Sequence, residues 1–181
     1  LLLLIKIKKK YWLFDVTPDI KEQIHLLDQF GCSLAGVFIT HAHVGHYMGL
    51  INFGLEIMNV KDVPIYVMPR MKDYIANNSM FSQLILNKNI ILHPINNNKE
   101  IVISDSISIK SFEVPHRNEL SETVGFKICR GDNSIIYLPD IDSWDEFKNQ
   151  LFDMVTKNEV LFLDGTFFSK DEIKNRDVAK I

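Results

Sequence analysis

Cysteine is scarce: Cys32 and Cys129 are the only two among 181 residues. They lie far apart and form no Cys-x-x-Cys pair, so a disulfide framework is not expected. That scarcity suits a reducing compartment, and the expected location is the cytoplasm. Excess positive charge is lacking too. Twenty Lys and Arg against 23 Asp and Glu leave a net charge of -3, which gives no general pull toward nucleic acid or an anionic membrane. The one basic run, Lys6 to Lys10, suits a solvated turn. No apolar run approaches the roughly 20 residues that span a bilayer. The opening run Leu1 to Ile5 has neither the basic flank nor the cleavage site of a signal peptide. Internal repeats and low-complexity segments are absent. What remains, 46% hydrophobic and 24% charged, describes an ordinary soluble chain, long enough for one domain with a real core.

The patterning mixes helices and strands throughout. Leu1 to Ile7 and Tyr11 to Val16, joined by the lysine turn, read as a hairpin. Asp19-Ile-Lys-Glu22 is a capping-box pattern before Ile20, Ile24 and Leu27 at helical spacing, and Gly31 closes that helix. Ala35 to Thr40 is a short apolar strand, followed by a helical stretch from about His46 to Met58. Val63 to Met68 reads as a strand and Pro69 to Asn77 as a helix. From Ile90 onward strands dominate: Ile90 to Ile95, Glu100 to Ile103, Ile107 to Val114, Thr123 to Cys129 and Ser134 to Leu138. Turn residues such as Asn96 to Asn98 and Gly131 to Asn133 separate them. Ser143-Trp-Asp-Glu146 is a second capping box, opening a helix to about Thr156. Val160 to Leu163 is a last strand, ending at Asp164-Gly165. The expected class is α/β, of layered α+β type, with a block of antiparallel pairing in the second half.

The informative segment is Thr40-His41-Ala42-His43-Val44-Gly45-His46, which holds three of the six histidines directly after a buried strand. On extended backbone His41 and His43 point to the same side, because side chains alternate with period two. His46 follows where a helix begins, so a strand-to-helix turn can aim all three rings at one spot. Neutral imidazole is the commonest metal ligand near neutral pH, and zinc sites of the catalytic kind need three protein ligands and an open position. Further metal-capable side chains close two later strands, in Val114-Pro115-His116 and Leu138-Pro139-Asp140. Alone, His116 would read as a surface histidine and Asp140 as a turn residue; beside the cluster both read as ligands. Asp142 or Ser143 is taken as the cap of the following helix.

These motifs, in this order, resemble the metallo-β-lactamase superfamily. Asp15, in Trp12-Leu-Phe-Asp15, matches the aspartate that supports the histidine loop there. Asp15 to Ile20, Val114 to Phe126, Leu138 to Trp144 and Leu163 to Phe167 are similar to a subgroup, coenzyme PQQ synthesis protein B and its relatives. The resemblance implies an αββα sandwich over residues 1–181 as a single domain. It also implies a chain truncated at both ends, without N-terminal strands and a C-terminal histidine segment. The superfamily pattern is His-x-His-x-Asp-His, and Gly45 stands where the aspartate belongs.

The function expected from this is metal-dependent hydrolysis by a metal-activated water. The metal ligands would be His41, His43, His46, His116 and Asp140, with Asp140 and His116 as the catalytic pair. Zn2+ is the expected ion, with Fe2+ or Mn2+ as alternatives. His41, His43 and His116 would hold the first ion, and Asp140 would bridge toward a weaker position that keeps His46. Arg117, Glu119 and Ser121 would face a small-molecule or peptide-derived substrate, with no nucleic-acid or membrane partner. The alternative is a PQQ-biosynthesis role, as an iron-dependent oxidative step or as a carrier. His25 and His93 read as structural or solvated, Cys32 and Cys129 as small core residues, and Asp164 as either a turn residue or a support for the site.

Overall fold

The structure is a computed structural model that describes residues 3–166. Leu1, Leu2, and everything from Phe167 to Ile181 lie outside the described residues, including the end of the Leu163 to Phe167 motif. Two compact units emerge. One is built on the residues up to Asn96 together with Leu120–Glu122, the other on Asn97–Glu119 together with the residues from Thr123 onward.

The first unit is assembled from β1 (Leu3–Ile7), β2 (Lys10–Phe14), α1 (Ile20–Asp28), β3 (Ser33–Phe38), α2 (Val44–Tyr47), a 3-10 turn (Met48–Phe53), β4 (Val63–Val67), α3 (Pro69–Asn77), α4 (Ser79–Leu86) and β5 (Ile90–Pro94). Its five-stranded sheet runs β1-β2-β3-β4-β5. The β1–β2 hairpin is antiparallel, with Lys8 in the left-handed region at the turn, and β2 to β5 pair in parallel. Parallel strands put their C-terminal ends on one edge, where ligands of open α/β sheets collect. Residues 15 and 39–46 leave the sheet at that edge.

An aromatic row crosses the same edge. Phe14, Phe38, Tyr66 and His93 occupy paired register positions, with successive ring centroids 5.2, 4.4 and 5.4 Å apart. Phe14 and Phe38 are fully buried. His93 closes the row on an outer strand, which accounts for this histidine without any metal role. Burial raises the pKa of the Tyr66 phenol. The unit's apolar core gathers Leu13, Val37, Ile39, Leu50, Phe53, Ile65, Val67, Met71, Ile75 and Phe81.

The stretch expected as one helix to about Met58 is instead a four-residue α-helix followed by the 3-10 turn. The reason is a close approach. A Cβ on Gly49 would lie 2.2 Å from the Thr17 carbonyl oxygen, and the Gly49 amide donates to Val16 O at 2.9 Å. The chain bends to keep that contact. The capping box at Asp19 also stays unformed as a side-chain cap. Ile20 N and Gln23 N are satisfied by the carbonyls of Thr17 and Asp19, and Gln23 Nε2 donates to Thr17 Oγ1.

The second unit holds β6 (Glu100–Ser104), β7 (Ile107–Glu113), β8 (Val124–Arg130), β9 (Asn133–Leu138), α5 (Lys148–Lys157) and β10 (Val160–Leu163). Its sheet runs β10-β9-β8-β7-β6. β6 to β9 pair antiparallel, as expected for this half, and β10 joins parallel to β9. It follows that β7, β9 and β10 all run the same way. Their C-terminal ends, leading to His116, Asp140 and Asp164, share one edge. Val114, Ile136, Leu138, Ile141 and Phe147 pack together beneath it. Gly125 lets β8 pass the Phe112 ring, since a Cβ there would sit 2.4 Å from it. α5 begins at Lys148, later than its capping box implied, although Ser143 Oγ accepts from Glu146 N at 3.4 Å, the bond such a box makes. No described helix is long and apolar enough to cross a membrane.

Candidate metal centre

The histidine loop is organised around Asp15. This residue is fully buried and holds φ of 66°, a left-handed conformation that costs about 1–2 kcal/mol away from glycine. Such strain persists where surrounding bonds over-determine it, and here they do. Asp15 N donates to Phe38 O at 2.8 Å, which pins the residue beside the end of β3. The carboxylate then accepts from Thr40 N at 2.8 Å, from Thr40 Oγ1 at 2.9 Å and from His46 Nδ1 at 2.8 Å. Three donors satisfy a charge that burial would otherwise penalise heavily.

These bonds set the imidazole tautomers. Thr40 spends its one hydroxyl proton on Asp15, so its oxygen accepts from His41 Nδ1, 2.9 Å away. His41 is therefore protonated on Nδ1 and presents a bare Nε2. That nitrogen lies 2.8 Å from His43 Nδ1, and the two rings stand edge to face with centroids 4.5 Å apart. His46 donates from Nδ1 to the same Asp15 carboxylate, so its proton sits on that nitrogen. His43 is the extended residue before α2, with φ -93° and ψ 144°. The period-two geometry that puts His41 and His43 on one side is thus realised.

In the second unit, His116 is held by carboxylates. Its Nδ1 lies 2.7 Å from Asp142 Oδ1, and its Nε2 lies 3.7 Å from Asp140 Oδ2. The His116 side chain is 4% exposed; those of Asp140 and Asp142 are 28% and 26% exposed. With Asp142 accepting at Nδ1, the proton of a neutral His116 sits on that nitrogen, and Nε2 is the one on the Asp140 side. Asp142 N donates to Pro115 O at 2.9 Å, tying the two strand ends together. Asp164 accepts from Ile141 N at 3.2 Å through one oxygen, and from Thr166 N and Oγ1 through the other. It is a turn residue and a brace for the 140–142 segment at once.

His41, His43, His116 and Asp140 are the side chains that qualify as a metal-binding group among the described residues. Three imidazoles and a carboxylate are a donor set that fits Zn2+, and one that Fe2+ or Mn2+ also accept. His46 stands outside this group. The sequence offers Asp142 or Ser143 as the cap of the following helix; Ser143 Oγ accepts from Glu146 N, whereas α5 starts six residues after Asp142, which orients His116 instead. The cue was available in the pairing of two carboxylates, Asp140 and Asp142, after one strand end. Ser121, expected to face the substrate, is buried and hydrogen-bonded, whereas Arg117 and Glu119 are exposed.

The family described as the β-lactamase superfamily domain matches residues 11–179. The chain belongs to that family. Ribonuclease Z of Trichodesmium erythraeum is 33% identical over 90 residues, which are 48% of this chain and 28% of that protein. Among solved structures, Zn2+-bound PqqB from Methylobacterium extorquens aligns with a TM-score of 0.74 at 19% identity, over 91% of this chain and 60% of that one. A diphosphatase of the PhnP family aligns with a TM-score of 0.64 at 22% identity, over 88% of this chain and 58% of that one. These likenesses show the metallo-β-lactamase fold. The chain spans about 60% of the length of the first of these structures and less of the ribonuclease.

Proposed function

We propose that this superfamily member is a metal-dependent hydrolase, with His41, His43, His116 and Asp140 holding one divalent ion, Zn2+ foremost. The observation that supports it most directly is that these four side chains form a metal-capable group, with His41 and His116 each held in the tautomer that presents Nε2. A divalent ion bound there supplies Lewis-acid activation of water near neutral pH. The residues do the remainder. Thr40 and Asp15 fix the His41 ring, Asp142 fixes the His116 ring, and both bonds raise ligand basicity. Asp140, more exposed than His116, accepts the proton released from the attacking water at a carboxylate oxygen. A second, weaker position would draw on His46 and a share of Asp140, because Gly45 offers no carboxylate. The substrate would be a small or peptide-derived ester, amide or phosphoester. The site of action would be cytoplasmic, in keeping with the free thiols of Cys32 and Cys129.

The likeness to PqqB favours a second reading, a role in PQQ biosynthesis as an iron-dependent oxidative step or as a carrier. Metal analysis of the protein purified without added metal separates the two. Zinc with turnover of hydrolysable esters supports the first. Iron with oxygen-dependent turnover supports the second and ends the first.

A further inference from the structure

Past the end of β3 the chain loses its ladder partners, and side chains take over as acceptors for its amides. Ile39 N still donates to Tyr66 O, at 3.1 Å. Thr40 N turns to Asp15, 2.8 Å away. Ala42 N, between the two histidines, donates to Ser121 Oγ at 2.9 Å, across 79 positions of sequence. Ala42 and Ser121 are each 3% exposed, so water cannot readily replace that acceptor. The Ser121 hydroxyl spends its own proton on Glu122 O at 2.9 Å. Its oxygen is thereby aimed at Ala42. Glu122 anchors the other side of this short segment: its carboxylate oxygens lie 3.1 and 3.2 Å from Arg70 N, in the first turn of α3. Met68, at the cap position of α3, forms no side-chain cap, and Glu122 takes that place with a charge suited to a helix N-terminus.

We infer that Ser121 is a positioning residue for the histidine loop: by holding the Ala42 amide it fixes the His41–Ala42 peptide plane, and with it the spacing of the His41 and His43 ring nitrogens. Leu120–Glu122 is then a clasp, joined to the loop at Ala42 and to α3 at Arg70. Asp15 sets the loop from one side of His41, Ser121 from the other. The inference rests on the reading of His41 and His43 as metal ligands, and the test separates the two ideas.

The experiment uses the intact chain stripped of metal, with Zn2+ as the probe. Ser121→Ala and Ser121→Cys should each weaken Zn2+ binding by about tenfold or more, the range seen when an outer partner of a metal ligand is lost. The thiol of Ser121→Cys fills the space but accepts hydrogen bonds poorly, so it also serves if the alanine variant fails to fold. In the metal-free proteins, exchange of the Ala42 amide should quicken, and the His41 and His43 ring resonances should shift. Wild-type affinity in Ser121→Cys overturns the inference, since filling space would then suffice. If the unaltered chain binds no Zn2+, the metal reading fails, and the Ala42 amide still decides the role of Ser121. Unchanged exchange in both variants overturns it; faster exchange with shifted histidine resonances upholds it.

Discussion

The two groups of candidate ligands are supported by different physics. His41, His43 and His46 leave a parallel sheet and are organised by one fully buried, backbone-strained carboxylate, Asp15. His116 and Asp140 leave the rim of a mainly antiparallel sheet, where the supporting carboxylates, Asp142 and Asp164, lie in turns and are partly exposed. In the first group, ligand geometry and stability of the fold are one property, because removing Asp15 orphans buried donors. In the second they separate, because Asp142 and Asp164 are themselves partly exposed, so water can enter where either carboxylate is removed. Position in the molecule, more than ligand type, decides what a supporting carboxylate is worth.

The largest expected effect breaks the first group. Asp15→Ala leaves Thr40 N, Thr40 Oγ1 and His46 Nδ1 without their shared acceptor and puts alanine at positive φ. A loss of about 3–5 kcal/mol is expected, as for a broken buried charged network. Asp15→Asn keeps an acceptor and tolerates the left-handed backbone, so it should lose about half as much. Denaturant unfolding measures both. Equal, small losses would show that solvent reaches Asp15 after all, and the contrast between the groups would collapse.

Asp142→Ala sharpens the comparison from the other side. It should cost about tenfold in Zn2+ affinity and less than about 1 kcal/mol in stability, since the carboxylate is partly solvated. His116 loses the bond that fixes its tautomer, and little else. Paired titration and unfolding of Asp15→Asn and Asp142→Ala give the ratio directly. A stability loss in Asp142→Ala as large as that in Asp15→Asn would contradict the argument.

A third expectation concerns the core beside the histidine loop. Tyr47, the last residue of α2, places its hydroxyl 2.7 Å from that of Tyr74. Burial first, then the Tyr74 hydrogen bond, raises its pKa well above the ordinary phenol value. The folded state therefore keeps this proton after the unfolded chain has lost its own near pH 10. By linkage, stability is fully present below that pH and declines as pH rises through the alkaline range. Tyr47→Phe should cost about 1 kcal/mol at neutral pH and flatten the alkaline decline. Unfolding midpoints at pH 8 and above would show it, and an undiminished decline would assign the loss to other groups.

What could be read from the sequence follows a physical divide. Local periodicity and short spacing exposed the β1–β2 hairpin, the antiparallel block, the histidine loop and the strand ends that carry His116 and Asp140. Partnerships across long separations stayed hidden wherever no family motif marked them. Nothing local links Ser121 to Ala42 or makes Asp142 the partner of His116. Thr40, adjacent to His41, was passed over because its role depends on a carboxylate 25 positions away. The helix α4 was missed beside α3; its N-cap is Asn78, whose side chain accepts from Met80 N. The bend at Gly49 was hidden for the same reason, since only the tertiary approach of Thr17 shows why a longer helix stops.

The smallest expected effect on stability carries the sharpest statement about the metal. Gly45 sits in the histidine loop, yet a Cβ there meets nothing within 4 Å. Gly49, four residues on, would strike Thr17 O at 2.2 Å. Consecutive turns, α2 and the 3-10 turn after it, thus contain a glycine that packing does not demand and one that it does. Gly49→Ala should be severely destabilised, whereas Gly45→Ala should change stability by no more than about 0.5 kcal/mol. The open space at Gly45 also means that Gly45→Asp can add a carboxylate beside His46 without displacing the loop. Fewer ligands and less negative charge weaken the hold on a dication, so the unaltered chain is expected to bind about one Zn2+ tightly. Gly45→Asp should raise occupancy of a second position while leaving the first affinity nearly unchanged. Metal titration into stripped protein, read by calorimetry, resolves the two steps. Two equally tight steps before the substitution would mean that another ligand completes the second position, and that the glycine at 45 limits nothing.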